Sequence, residues 1–197
     1  MPVFPEPNGH RARYRRRVTR TSARAAAGGA DPVIEIVPVA ERHAEGFRAC
    51  LDAVARERRY LAQVEAPPLE RIEAFVRQSV ANGAAQCMAV DGDRVVGWAD
   101  VLPRWAHAVA HVGSLGMGVL PAYRGRGIGR RLLEACIAKA WDQGITRIEL
   151  EVRVDNEPAS ALYRALGFEQ EAVKRHAMRV DGVYHDTLLM SLLKDAG

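Results

Sequence analysis

The sequence predicts a mixed α/β domain: one central sheet of six to seven strands with about four helices on its faces. Three observations carry this. From Val33 onward, apolar residues spaced for strands and for helices alternate in the order β α α β β β α β α β β. Two turn signals, Asp91-Gly92-Asp93 and Asp181-Gly182, each join a pair of strand-like runs. The chain has 197 residues and is 48% hydrophobic, enough for one substantial core and hence a single domain.

The elements follow in order. "VIEIVPV" (33–39) alternates and reads as the first strand, bounded by Asp31-Pro32. Residues 40–62 carry Ala44, Phe47, Leu51, Val54 and Ala55 at helical spacing and end before Pro67-Pro68. A second helix is expected over 69–81, with Ile72, Phe75, Val76 and Val80 on one side and Asn82-Gly83 as its stop. "AQCMAVDGDRVVGWADVLPR" reads as a hairpin and "VAHVGSLGMGV" as a further strand. A helix over Gly127–Trp141 follows, then the strand "TRIELEVRV", the helix "EPASALYRALGF" closed by Gly167, and two last strands around Asp181-Gly182.

Charge is unevenly spread. Residues 1–31 hold seven arginines against two acids, a net of +5; the whole-chain +4 therefore leaves −1 for residues 32–197. A near-neutral body argues against nucleic acid as a partner. The first 31 residues lack apolar periodicity and are expected to be a disordered Arg-rich extension preceding a domain over 32–197. Other readings of that stretch are a transit peptide, a misassigned start, or a nucleic-acid-binding arm. No apolar run approaches the roughly 18 to 20 residues of a membrane span, so no membrane role is expected. Cys50, Cys87 and Cys136 are odd in number and lie inside apolar patterns, which suggests buried free thiols and a cytoplasmic location. His107 and His111 are four apart but have no acidic or thiol partner nearby, and no metal site is expected.

The stretch "AYRGRGIGRRLLEACIAKAW" (122–141) places glycines among arginines at the mouth of a helix. It lacks the lysine and hydroxyl of a P-loop, and Arg130 stands where a dinucleotide fingerprint needs its third glycine. Two readings stay open: helix N-terminal amides that hold a phosphate, with Arg124, Arg126 and Arg130 adding charge, or a helix that simply starts after a glycine-rich turn.

The Arg-x-x-Gly-x-Gly spacing at Arg124, Gly127 and Gly129, followed about thirty residues later by "VDNEPASALYRALGF", resembles the GNAT superfamily of N-acetyltransferases over residues 33–193. The resemblance implies the GNAT fold, its sheet splayed at the cofactor-binding strand, and acetyl-CoA as co-substrate. It further implies that amides of Gly125, Arg126, Gly127, Ile128, Gly129 and Arg130 hold the pyrophosphate. The strand at Met117, Gly118 and Val119 would pair with the pantetheine arm, Asn156 would bond that arm, and Tyr163 would protonate the leaving thiolate. Asn156 and Tyr163 are seven residues apart, about two helical turns, and share a face; a helix N-cap and a core aromatic are their plainer readings. Gly116 and Gly118 suggest close backbone approach or a bulge.

In "RIELEVRV", Arg147, Glu149, Glu151 and Arg153 share one face. Glu151 matches the base position of the ribosomal-protein N-terminal alanine acetyltransferases; a solvated charge ladder with Arg153, and a water-mediated base assisted by His111 or Ser114, are the alternatives. The last hairpin lacks the paired tyrosines of those enzymes and is closer to small bacterial acetyltransferases of free amino acids. A small-molecule amine is therefore the expected acceptor, with a protein N-terminus as rival. Arg58 or Arg59 would suit a carboxylate-bearing acceptor, and Glu57, Glu65 and Glu70 a polyamine. A non-catalytic acyl-CoA-binding module is the reading from another class, and a homodimer is compatible with the sequence.

Overall fold

The computed structural model describes residues 33–194. The expected disordered extension, residues 1–31, lies outside the described residues. Seven strands form one sheet in the order β1-β2-β3-β4-β5-β7-β6: β1 Glu35–Pro38, β2 Ala85–Asp91, β3 Arg94–Pro103, β4 Val112–Val119, β5 Arg147–Arg153, β6 Glu169–Val180 and β7 Val183–Leu193. Four helices cover it: α1 Ala44–Ala55, α2 Leu69–Ala81, α3 Ile128–Asp142 and α4 Glu157–Ala165. The expected order of elements is thus the observed one.

All neighbouring strands are antiparallel except β4 and β5. Those two pair only where Val112–Ser114 meet Arg147–Glu149. Beyond this point β4 stays on β3 as far as Val119, and β5 stays on β7 as far as Arg153. The sheet therefore opens into a V, and the edge of β4 from Leu115 to Val119 that faces β5 has no strand partner.

The two faces are distinguished by their contacts. Phe47 of α1 meets Trp98 of β3 edge-on at 5.6 Å, whereas a side chain on Gly97, one residue earlier, would meet Leu132 of α3. By alternation, Trp98, Asp100, Gly116 and Gly118 face α1 and α2, while Ala99 and Met117 face α3. Helix α4 joins the α3 side, because Leu162 and Met117 both close on Gly129. Ile148, Leu150 and Val152 are buried in the common core.

Three expectations are corrected. Helix α1 ends at Ala55, not near 62. Asp52 accepts from Arg56 and from the Ala66 amide, folding the chain back, and Arg58 is left-handed at φ 53°. Val80 is exposed instead of facing the core with Ile72 and Val76. Neither Gly116 nor Gly118 marks a bulge, since the β3–β4 register runs unbroken from Gly97↔Val119 to Pro103↔Gly113. A Cβ on Gly118 would lie 2.3 Å from the Trp98 ring, so this glycine makes room for Trp98. The three cysteines are buried free thiols, as expected.

Candidate active site

The glycine turn follows a short turn at Pro121–Tyr123. Gly125 and Gly127 adopt left-handed conformations, φ 73° and 74°, and nothing lies within 4 Å of where their Cβ atoms would be. The first backbone bond of α3 runs from the Arg131 amide to the Gly127 carbonyl. The six amides from Gly125 to Arg130 therefore have no acceptor among the described residues, and four are the free N–H groups of the helix start. Ile128 anchors the helix by burying its side chain, 2% exposed. A row of bare amides beside exposed Arg126 and Arg130 fits an anionic diphosphate.

Arg124 has partners within the fold. Its guanidinium donates to both Glu57 oxygens, at 2.8 and 2.5 Å, and to the Val119 carbonyl at 2.9 Å. It braces the end of β4 against the α1–α2 loop. Arg126 lies over the Tyr123 ring, 5.5 Å from its centre, and Arg130 reaches the Ala165 carbonyl at 3.2 Å.

On α4, Asn156 is the N-cap: its Oδ1 accepts from the Ala159 amide at 3.4 Å. The plainer reading of this residue therefore holds, and its Nδ2 has no partner among the described residues. Tyr163 packs on Phe168 at 5.8 Å and is buried, so it is also a core aromatic. Its hydroxyl finds no hydrogen-bond partner among the described residues, and burial pushes its pKa above the ordinary tyrosine value. Between them on the same helix, Ser160 is 3% exposed and its Oγ has no partner. Sequence reading passed over Ser160, although a small hydroxyl one turn before Tyr163 was visible in "PASALY". Orphaned polar atoms on α4 and bare amides on α3 flank the opened edge of β4. That is what a ligand with a diphosphate and an amide-bearing arm would need.

On the other face, Glu151 is exposed, and its oxygens accept from Lys174 Nζ (2.5 Å) and Thr187 Oγ1 (3.1 Å). Each oxygen thus carries one hydrogen bond and keeps further acceptor capacity. Arg153 does not join it in a ladder: it is buried, pairs with Asp155, and donates to the Arg59 carbonyl at 2.7 Å. Glu149 accepts from Arg104 and Arg147, and Arg147 also holds Glu171, whose carboxyl falls to about 2 through bonds from Arg147 and Ser191. Of the residues expected to greet the acceptor, three have partners within the fold: Glu57 bonds Arg124, Arg58 bonds Asp181, and Arg59 bonds Tyr60. The Arg58–Asp181 pair ties the α1–α2 loop to the tip of the β6–β7 hairpin. No metal-ligating cluster occurs among the described residues, and among them no helix is long and apolar enough to cross a membrane.

A sheet opened beside a row of bare helix-start amides suits an extended ligand that carries an anionic group. Comparison with known proteins narrows this to a family. The Acetyltransferase (GNAT) family matches residues 48–168, and the chain belongs to that family. It is 50% identical over 66 residues to the N-alpha-acetyltransferase RimI of Mycobacterium tuberculosis, covering 34% of this chain and 40% of that protein. It is 36% identical over 76 residues to the ribosomal protein bS18-alanine N-acetyltransferase of Salmonella typhimurium, covering 39% and 51% respectively. The chain thus spans about half or less of the length of these curated relatives. Among solved structures, an acetyltransferase from Salmonella typhimurium bound to acetyl-CoA superposes with a TM-score of 0.78 at 18% identity, over 83% of this chain and 95% of that one. That likeness is one of fold.

Proposed function

We propose that the protein transfers the acetyl group of acetyl-CoA to a primary amine. The observation that carries this is the run of six unpartnered amides from Gly125 to Arg130 beside the unpaired edge of β4. When bound, acetyl-CoA supplies an activated acyl carbon. The chain's own residues do the rest. The amides of Gly125, Arg126, Gly127, Ile128, Gly129 and Arg130 hold the diphosphate. The free edge at Met117, Gly118 and Val119 takes the arm as an added strand, and an amide there stabilises the carbonyl oxygen. Asn156 offers its free Nδ2 to the arm. Tyr163 at rest is protonated throughout the physiological range, so its hydroxyl is ready to give a proton to the departing sulfur.

For the acceptor, two observations pull apart. The Arg58–Asp181 bridge across the acceptor side favours a small amine such as a free amino acid, as the hairpin sequence led us to expect. The two relatives above carry names of N-terminal acetyltransferases, which favours a protein N-terminus. Both acceptors present an α-amine. The test is thiol release from acetyl-CoA with free amino acids, polyamines and Ala-initiated peptides side by side. Turnover with α-amines is expected; tight binding of acetyl-CoA with no turnover on any amine would make the protein a binding module instead.

A further inference from the structure

The α1 face of the sheet carries a buried polar row that nothing above uses. Register places Gln86 of β2, Asp100 of β3 and Gly116 of β4 side by side across three strands. Gln86 is fully buried, and neither its Oε1 nor its Nε2 has a hydrogen-bond partner. Asp100 is half-buried beside it and makes no hydrogen bond or ion pair with any described residue. Gly116 has no side chain to cover it: a Cβ there would sit 3.1 Å from Asp100 Oδ1. Gly116 itself lies in the part of β4 that has left β5, whose pairing ends at Ser114. Sheets with a core on this face spend such positions on apolar residues, as β2 and β3 do at Met88 and Trp98 one step along. Two unpartnered polar side chains in adjacent register are costly to the fold unless something else bonds to them.

We propose that Asp100 is a catalytic residue, the group that takes the proton from the acceptor's ammonium, with Gln86, unpartnered beside it in register, as the positioning residue available to its carboxylate. This rests on the reaction proposed above. One N–H bond of the ammonium breaks and its proton passes to Asp100; the freed lone pair forms the new C–N bond and the C–S bond breaks. Tyr163 gives its proton to the departing sulfur, and the second proton released from nitrogen restores Tyr163 by way of solvent. Asp100 and Tyr163 stand on opposite sides of the sheet, so the acceptor enters from the α1 side while the thiol is protonated from the α4 side.

Burial alone pushes the Asp100 carboxyl up to about 7, where a base is matched to neutral pH. The groups that face it are neutral or already paired. From β2 comes Gln86, and from β4 Ser114 and Gly116. The buried residues of α1 and α2 over this face include a single titratable side chain, Cys50, whose thiol burial pushes up to about 12. Behind the sheet, Cys136 donates its thiol proton to the Ala99 carbonyl. Across the V, Glu149 and Glu151 are held by Arg104, Arg147 and Lys174.

The test is the pH profile of kcat/KM for the full chain with acetyl-CoA and its best α-amine. Wild type should show a rising limb near pH 7. In Asp100→Asn that limb should vanish, with kcat/KM at pH 7 down roughly 10²- to 10⁴-fold and recovering toward the acceptor's own ammonium pKa, while the Kd for acetyl-CoA stays unchanged. Glu151→Gln should keep the limb, and Gln86→Leu should shift it. Should Asp100→Asn not fold, carboxyl carbon NMR of the wild-type protein reads the same group directly, with a midpoint near 7 expected. A limb that survives in Asp100→Asn, or an Asp100 carboxyl titrating near the ordinary value of roughly 3.9, overturns the role while leaving the acetyltransferase reading intact. Failure of the wild type to acetylate any amine overturns both.

Discussion

The two halves of the proposed reaction are built in opposite ways. The donor end is a backbone device: eight consecutive residues, Tyr123–Arg130, supply two left-handed glycines and six bare amides. The acceptor end is a side-chain device, assembled by strand register from Gln86, Asp100 and Gly116, with a loop nearby in sequence to α1 tied to a distant hairpin through Arg58 and Asp181, 123 residues apart. A backbone device must be contiguous and must use residue types that permit its conformation. A register device obeys neither constraint.

The sharpest way to separate the two ends is to strike the chemistry between them. Tyr163→Phe removes only the hydroxyl that has no partner in the fold. Turnover should fall by about 10²-fold or more, the usual scale of a positioned acid, while calorimetry finds the acetyl-CoA Kd nearly unchanged. Equal losses in both would mean that Tyr163 belongs to the donor cradle as much as to catalysis.

A second variant strikes the cradle alone. Val at position 127 would have to adopt φ 74°, a conformation that costs an L residue about 1–2 kcal/mol. The surroundings leave room for the side chain, so the fold should tolerate the change. Gly127→Val is therefore expected to lower the melting temperature by about 2–8 °C and, where the strained turn relaxes and turns its amides away from the diphosphate, to weaken acetyl-CoA binding roughly 10-fold, measured by calorimetry. An unaltered Kd would detach the glycine turn from the donor.

This contrast also explains what the sequence made legible. Helix α2, both hairpins and the strand–glycine–helix passage were readable because each is set by neighbours along the chain. So was the candidate role of the amides from Gly125 to Arg130. The Glu57 partner of Arg124 was not legible, because a basic residue beside glycines looks like a phosphate ligand and only the fold brings Glu57 within reach of it. Asn156 and Tyr163 are compatible with both of their readings, since a cap and a core ring can also face a ligand. Asp100 left one faint trace, a lone acid inside the apolar run "VVGWADVL". Its meaning depends on Gln86 and Gly116, which no local pattern connects to it.

The acceptor side can be probed through stability as well. The Asp100 carboxyl titrates at roughly 3.9 in an unfolded chain and at about 7 in the fold. Proton binding therefore favours the folded state below about pH 4, and that contribution is lost as pH rises through 7. Asn carries no such loss. Asp100→Asn should melt above wild type at pH 8 by about 2–4 °C, the shift expected from roughly 1 kcal/mol in a domain of this size, and the gap should narrow by pH 5. A variant less stable than wild type at pH 8 would mean that the carboxylate is paired after all, and the two ends would no longer differ in how they store strain.

The smallest effect is expected at the tie between loop and hairpin. Arg58 and Asp181 are both well exposed, with side chains 47% and 59% accessible, so their bridge adds little to stability. Asp181 sits in a left-handed turn at φ 49°, which asparagine also tolerates. Asp181→Asn therefore removes the charge and keeps the turn. With the loop freed from the hairpin, KM should fall roughly two- to fivefold for a long Ala-initiated peptide and stay level for a free amino acid, while the Kd for acetyl-CoA does not move. A drop confined to the peptide would make the bridge a size gate on the acceptor side. Equal KM values in both proteins would leave acceptor length to be decided along the row that ends at Asp100.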